Sequence, residues 1–211
     1  MLGMLGEGFI MTLKIFALTL LGSMPLGILI ALGRMSKIKP IQFIFQAYIS
    51  IMRGTPLMLQ MFAIYFAPYY VFGIELSPSS KFNATIVAFI LNYAAYFAEI
   101  YRGGIEAMPV GQYEAAAVLG YSKFQTFMRI ILPQVIKHIL PSVTNEVITL
   151  VKDTSLAFTL AYQEMFSIGK QIANSQTSFM PFVIAGVFYY VFNSIVAFVM
   201  NQLENRLNYY R

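Results

Sequence analysis

The run IFALTLLGSMPLGILIALG, residues 15–33, carries no charged side chain from end to end. Crossing the hydrocarbon core of a bilayer takes about 20 apolar residues as a helix. Backbone groups in lipid must be bonded within their own segment, which leaves a helix as the structure such a run can take. Ile15 to Gly33 therefore reads as a transmembrane helix with Pro25 and Gly27 in mid-span. The composition agrees. Of 211 residues, 58% are hydrophobic and 11% charged, where soluble domains carry about 25% charged residues. So few charges cannot clothe a water-soluble surface at this length. There is no cysteine, which excludes disulfides and thiolate metal sites. The net charge of +5 is dispersed along the chain, which argues for basic loops beside a membrane and against a nucleic-acid partner. Met1 to Phe9 lack a basic n-region and contain Glu7, and the first apolar stretch is too long for a signal h-region, so no cleaved signal peptide is expected.

Further spans follow outward from this one. Pro40 to Met52 is uncharged, Arg53-Gly54-Thr55-Pro56 interrupts it, and Leu57 to Ile74 continues. The reading is an interfacial or tilted first piece, a break, and a membrane helix beyond. A third span falls near Phe82 to Ala98, and the last lies within Gln171 to Leu203, starting near Pro181. Between them, Phe124 to Tyr162 carries Arg129, Lys137, His138, Glu146, Lys152 and Asp153. Yet Ile130, Ile131, Val135, Ile136, Ile139, Leu140, Val143, Val147, Ile148 and Leu150 recur at helical spacing. That is a helix with one greasy and one polar face, the polar face turned into the bundle, with bends expected at Pro133 and Pro141. The fold class is all-α: an integral membrane bundle of about five helices in one domain, residues 1–211, with no internal repeat or linker. Five spans put Arg34, Lys37, Lys39, Arg102, Lys123, Arg129, Lys137, Arg206 and Arg211 on one side, and only Lys81, Lys152 and Lys170 in the other loops. The positive-inside rule then sets a multi-pass protein of the plasma (inner) membrane with its N-terminus outside and its C-terminus in the cytoplasm.

The stretch Pro109 to Pro133 falls on the cytoplasmic side of this scheme. Gln112 to Leu119 reads as a short helix of small residues, about 12 Å long. Glu114 sits near its positive N-terminal end, Ala115, Ala116 and Ala117 offer almost no side-chain bulk, and Gly120 ends it. Such a rod suits close docking by another protein. A plain surface turn between two spans fits the same residues.

Glu114-Ala115-Ala116, Gly120 after three residues, and Ile130, Leu132 and Pro133 after nine more resemble the EAA motif of permease subunits of ATP-binding-cassette importers. Arg53-Gly54-Thr55-Pro56-Leu57, Ala98-Glu99-Ile100-Tyr101-Arg102-Gly103-Gly104-Ile105, Leu132-Pro133-Gln134 and Lys152-Asp153-Thr154-Ser155-Leu156 are similar to the polar amino-acid branch of that family. The resemblance runs from about Thr12 to the final helix. It implies a type I importer-like bundle, a permease that pairs with a second copy or a sister permease, and two cytoplasmic ATPase subunits. It also implies an extracytoplasmic amino-acid-binding protein. Residues 110–121 become the coupling helix, with Glu114, Ala115, Ala116 and Gly120 as ATPase-coupling residues. The chain has no G-x-x-x-x-G-K-[ST] sequence. It is thus expected to hold no cofactor and to be no enzyme, with ATP and magnesium on the partner ATPase.

Transporters bind solute where polar groups interrupt the apolar interior. The candidates are Asn145, Glu146 and Thr149 with Asp153, Thr154 and Ser155. Asp153 would hold an ammonium, and hydroxyl or backbone donors a carboxylate. The competing reading pairs Lys152 with Asp153 or leaves both in outer headgroup water, and depth decides between the readings. Gly54 and Thr55, at the helix break, are a second candidate, as a cavity-facing break or as a structural kink. Glu99 and Arg102 have the i, i+3 spacing of a helix-surface pair. The single histidine, His138, has no companion ligands, and the 13 methionines read as adaptable packing. No catalytic or metal-binding set is expected. The alternative function is a self-sufficient secondary transporter or channel for a small polar solute.

Overall fold

The computed structural model describes residues 2–207; Arg211, counted above with the basic tail, lies outside them. Most of the described residues are helical. Helices α1 (Leu2–Arg34), α4 (Pro78–Glu106) and α9 (Met180–Leu207) are each long and apolar enough to cross a membrane. At 33 residues α1 is about 50 Å long and overshoots the span read from residues 15–33. It packs along α4, where small residues let the backbones meet. A Cβ added at Gly27 would lie 2.9 Å from the Phe97 Cβ and 3.2 Å from the Ala94 carbonyl oxygen. Phe89, Tyr93, Ala94, Phe97 and Ala98 of α4 are fully buried, with Ile15 and Thr19 of α1. Leu21 and Leu29 of α1 and Tyr190 and Phe198 of α9 are exposed, the greasy exterior of a bundle in lipid.

The other two crossings are assembled from pieces. Helix α2 (Lys39–Gly54) starts beside the end of α1, with the Phe45 ring packed against Gly33. It reaches Asn92, midway along α4, by Met52. After the break, α3 (Leu57–Phe72) continues to the far end, where Tyr65 and Pro68 meet Ser80 and Ala84 of α4. The first piece therefore dips into the bundle rather than lying along its interface. The second crossing begins with α6 (Lys123–Thr126), a π-helical turn (Phe127–Ile131) and α7 (Leu132–Asp153). The π turn lies just ahead of Pro133, and Pro141 lies inside α7. A 3-10 helix (Thr154–Leu160) completes it, and Tyr162 then stacks on Phe82 near the start of α4.

Two expectations are corrected. The stretch after Tyr162, read as a loop, holds α8 (Met165–Gln176). Its start is fixed by Glu164, whose carboxylate accepts the N–H groups of Phe166 and Ser167, both at 2.7 Å. Glutamate is a weak signal for an N-cap compared with serine, threonine or aspartate. Lys152, counted among the loop residues, belongs to the last turn of α7. The bundle has one basic end, where Arg34, Arg53 and Arg102 gather around Glu99 and Lys137 lies near Glu204. Between α4 and α6, that end carries α5 (Val110–Val118).

Candidate functional site

Depth within the bundle decides what Asp153 can do. Ile139 of α7 packs on Gly104 of α4, near the basic end. Fourteen residues on, about 21 Å of helix, the Tyr93 hydroxyl donates to the Asp153 carboxylate at 2.7 Å. Tyr93 stands about 22 Å from the start of α4 and about 20 Å from its end. Asp153 thus sits level with the middle of α4, because the first turns of α7 are spent alongside the basic end. Its hydrogen-bond donor is Tyr93, while Lys152, which is exposed, acts on it only through its charge.

The break between α2 and α3 reaches the same level. Arg53 sits with its guanidinium 5.3 Å from the centre of the Tyr96 ring and 3.7 Å from Glu99. The Glu99 carboxylate is held by Arg102 through contacts of 3.1 and 2.8 Å, the expected i, i+3 pair, and Arg102 also binds Glu106. Glu146 is half-buried one face away and feels the charges of both Arg53 and Asp153. Two stretches a hundred residues apart, the break and the end of α7, therefore meet around α4. Of the other sequence candidates, Thr149 and Ser155 are half-buried, Asn145 and Gly54 are exposed, and Thr154 is fully buried with its hydroxyl donating to the Val151 carbonyl. Thr55 is exposed and its hydroxyl donates to the Ile51 carbonyl.

Sequence reasoning passed over the residues that hold the break. Gln60 of α3 donates to the carbonyls of Met52 and Thr55 at 2.9 and 3.1 Å and to the Thr55 hydroxyl at 2.8 Å. Asn92 of α4 donates to Met52 at 2.9 Å and to the Gln60 side chain at 3.0 Å. The carbonyls freed by Gly54 and Pro56 are thus satisfied by two buried amides, as they must be away from water. The available signal was the presence of Gln60 and Asn92 inside otherwise apolar spans.

At the basic end, α5 stops as a Schellman motif. The Tyr121 N–H bonds the Ala116 carbonyl and the Gly120 N–H bonds the Ala117 carbonyl, each at 3.0 Å, with Gly120 at φ +78°. Ser122 and Gln125 then form a capping box that starts α6. Ala116 is buried against the bundle, whereas Glu114, Ala115, Ala117, Val118 and Leu119 are exposed. A short rod with a small-residue face and an apolar tip stands out from the bundle. Among the described residues, no three histidine, aspartate or glutamate side chains group as a metal site would need.

Comparison with known proteins gives the same picture along the whole chain. The pattern of one family, described as binding-protein-dependent transport system inner membrane component, matches residues 23–209. The L-cystine transport system permease protein TcyB of Bacillus subtilis (strain 168) is 34% identical over 208 residues, covering 98% of this chain and 87% of that protein. The arginine transport system permease protein ArtQ of the same organism is 35% identical over 202 residues, covering 95% and 91%. Among solved structures, an amino acid ABC transporter described with histidines superposes with a TM-score of 0.88 at 34% identity, covering 97% of this chain and 94% of that one. The MetNI methionine ABC transporter in an inward-facing form superposes at 0.68 with 17% identity, a likeness of fold.

Proposed function

The chain belongs to the family of binding-protein-dependent transport system inner membrane components, and from that premise we propose that it forms the translocation path for a polar amino acid. Relatives named for L-cystine and arginine support the solute class. The observation that carries the reading is the meeting, at mid-depth, of a broken helix with Asp153, Glu146 and Tyr93. A free amino acid offers an ammonium and a carboxylate. Asp153 and Glu146 suit the first, and Thr149 and Ser155, with Asn145 and Thr154 beside them, supply polar lining. Gly54 and Thr55 form the break that opens α2–α3 next to them. Polar groups at this depth are costly unless they face one another or a wet path.

The motor in this proposal is separate. A pair of ATPase subunits, carrying ATP and magnesium, docks on α5 through Glu114, Ala115 and Ala116, with Gly120 holding the end of the rod. A second copy or sister permease completes the path, and an extracytoplasmic binding protein delivers the solute at the end opposite α5. The N-terminus lies outside and the C-terminus in the cytoplasm. Closure of the motor is felt here mechanically, as a bias between two bundle states. Reconstitution tests this directly. Proteoliposomes holding the permease, its ATPase and its binding protein should accumulate labelled amino acid only with ATP. Accumulation without the ATPase would overturn the proposal in favour of a self-sufficient transporter.

A further inference from the structure

The chain that follows Asp153 runs away from α5, and it is held unevenly. Asp153 meets Tyr93 near the middle of α4. Tyr162 stacks on Phe82, which lies eleven residues nearer the start of α4, about 17 Å of helix. The 3-10 helix between them, Thr154–Leu160, is seven residues long. Runs beyond three or four residues are uncommon, and one set against an α-helix marks a hinge or a sequence under strain. Its turns are closed locally. The hydroxyls of Thr154, Ser155 and Thr159 donate to the carbonyls three residues back, at 2.7, 2.8 and 2.8 Å. Ala157 and Leu160 are buried in one cluster with Met61 and Tyr65 of α3. This stretch covers Asp153 from the end opposite α5.

Beyond it, the two sides of one residue differ. On the far side, Glu164 is fully buried and accepts from the N–H groups of Phe166 and Ser167 and from the Tyr189 hydroxyl. The Met165 N–H reaches the Thr12 hydroxyl oxygen at 3.4 Å, and Gly8 lets α1 lie against the Met165 backbone. That side is fixed to α1 and α9. On the near side, Tyr162 is half-buried and rests on Phe82 with ring centres 5.2 Å apart. Its hydroxyl donates to the Met11 sulfur at 3.5 Å, a weak acceptor. Between the two sits Ala161, exposed and at φ +53°, a left-handed conformation that strains an alanine. A cavity of about 290 Å³ opens beside Tyr162, lined also by Glu7, Met11, Gln163 and Ile168. Strain at Ala161 offsets the ring stack, and the cavity gives the ring a second place to lie. A strained joint between a fixed anchor and a lightly held ring has the makings of a two-state element.

We infer that residues 154–162 form the outer gate of the translocation path, hinged at Ala161 and shut by Tyr162 on Phe82. This assignment rests on the importer reading above and adds to it the element that opens toward the binding protein. On opening, Ala161 leaves the left-handed region and the Tyr162 ring leaves Phe82 for the cavity. Glu164 stays in place and serves as the pivot.

The chain has no cysteine, so paired cysteines report the gate directly. The test uses proteoliposomes holding the permease–ATPase complex, with the binding protein added. Phe82→Cys/Tyr162→Cys is joined by a short, reducible bifunctional thiol reagent. ATP-driven uptake of a labelled mixture of L-amino acids should then fall by roughly tenfold or more, because a lid that cannot open stops turnover. Reductant should restore it, and each single variant treated alike should keep its uptake. Cross-linking should also slow severalfold when solute-loaded binding protein and a non-hydrolysable ATP analogue are added together. Intact uptake after complete cross-linking, or a cross-linking rate indifferent to those additions, overturns the gate. If the double variant does not assemble with the ATPase, Met11→Cys/Tyr162→Cys is read in the same way. Failure of the unsubstituted chain to take up any of the amino acids with ATP overturns the importer reading instead.

Discussion

Tyr93 shows how one hydroxyl gives a carboxylate its place. Its ring is buried between Phe89 and Phe97, and its O–H is the donor that Asp153 meets at mid-depth. Tyr93→Phe keeps the packing and removes that donor. A hydrogen bond to a charged group is worth about 1.5–3 kcal/mol, so apparent affinity for transported amino acid should weaken by roughly tenfold or more. Co-purification with the ATPase should be unchanged. Transport kinetics beside a pull-down separate the two, and unaltered affinity would make Asp153 independent of Tyr93. Glu164 makes a different case, in the connection between spans. Burial pushes its carboxyl up to about 7, against the pull of the Phe166 and Ser167 N–H groups and the Tyr189 hydroxyl. An acid whose pKa is higher folded than unfolded favours the folded state most when protonated. Its contribution is full below the ordinary carboxylate range and is lost as pH rises toward 7. Melting temperature in detergent should therefore fall between about pH 5 and pH 7. Glu164→Gln should flatten that slope, and an identical slope in the variant would assign it to other groups.

At the scale of elements, α5 is decided by how it ends. Gly120 adopts φ +78°, and its N–H and that of Tyr121 close the Schellman motif. A side chain there is strained whatever space surrounds it; the left-handed backbone costs about 1 kcal/mol for a non-glycine residue. Gly120→Arg adds bulk and charge beside the exposed Val118 and Leu119 tip. Membrane insertion should be normal, because α5 contributes only Ala116 to the buried interior. ATPase co-purification and ATP-driven uptake should fall by an order of magnitude or more. Normal uptake would mean that the motor grips elsewhere. The rod was legible in the residues because small side chains, a dipole-favoured glutamate and a stopping glycine each act locally. The long apolar helices were legible for the same reason. What escaped was set by distant partners. Helix α8 has a glutamate cap that counts only once Tyr189 and α1 bury it. The level of Asp153 depends on where α7 meets Gly104. Gln60 and Asn92 look like isolated polar residues until the break between α2 and α3 is folded against α4.

For the molecule as a whole, one asymmetry ties charge to direction of transport. Arg34, Lys39, Arg102, Lys123 and Lys137 belong to the end that carries α5, and with Lys152 in the last turn of α7 the opposite connections keep Lys81 and Lys170. The positive-inside rule counts such residues near span ends, so the basic end is expected in the cytoplasm, where a nucleotide-driven motor can reach α5. Insertion the other way would offer the proposed docking rod to the wrong compartment. The chain has no cysteine, which makes the orientation directly measurable. Leu2, Tyr70 and Val118 are all exposed, the first two at the end away from α5 and the third on it. Single substitutions Leu2→Cys, Tyr70→Cys and Val118→Cys should leave folding intact. A membrane-impermeant maleimide applied to whole cells should label the first two and spare the third until the membrane is opened. The reverse pattern would turn the bundle over and remove the proposed site of motor docking from the cytoplasm. Labelling of Val118→Cys in opened membranes should also drop when the ATPase is co-expressed, because the docked subunit covers that tip.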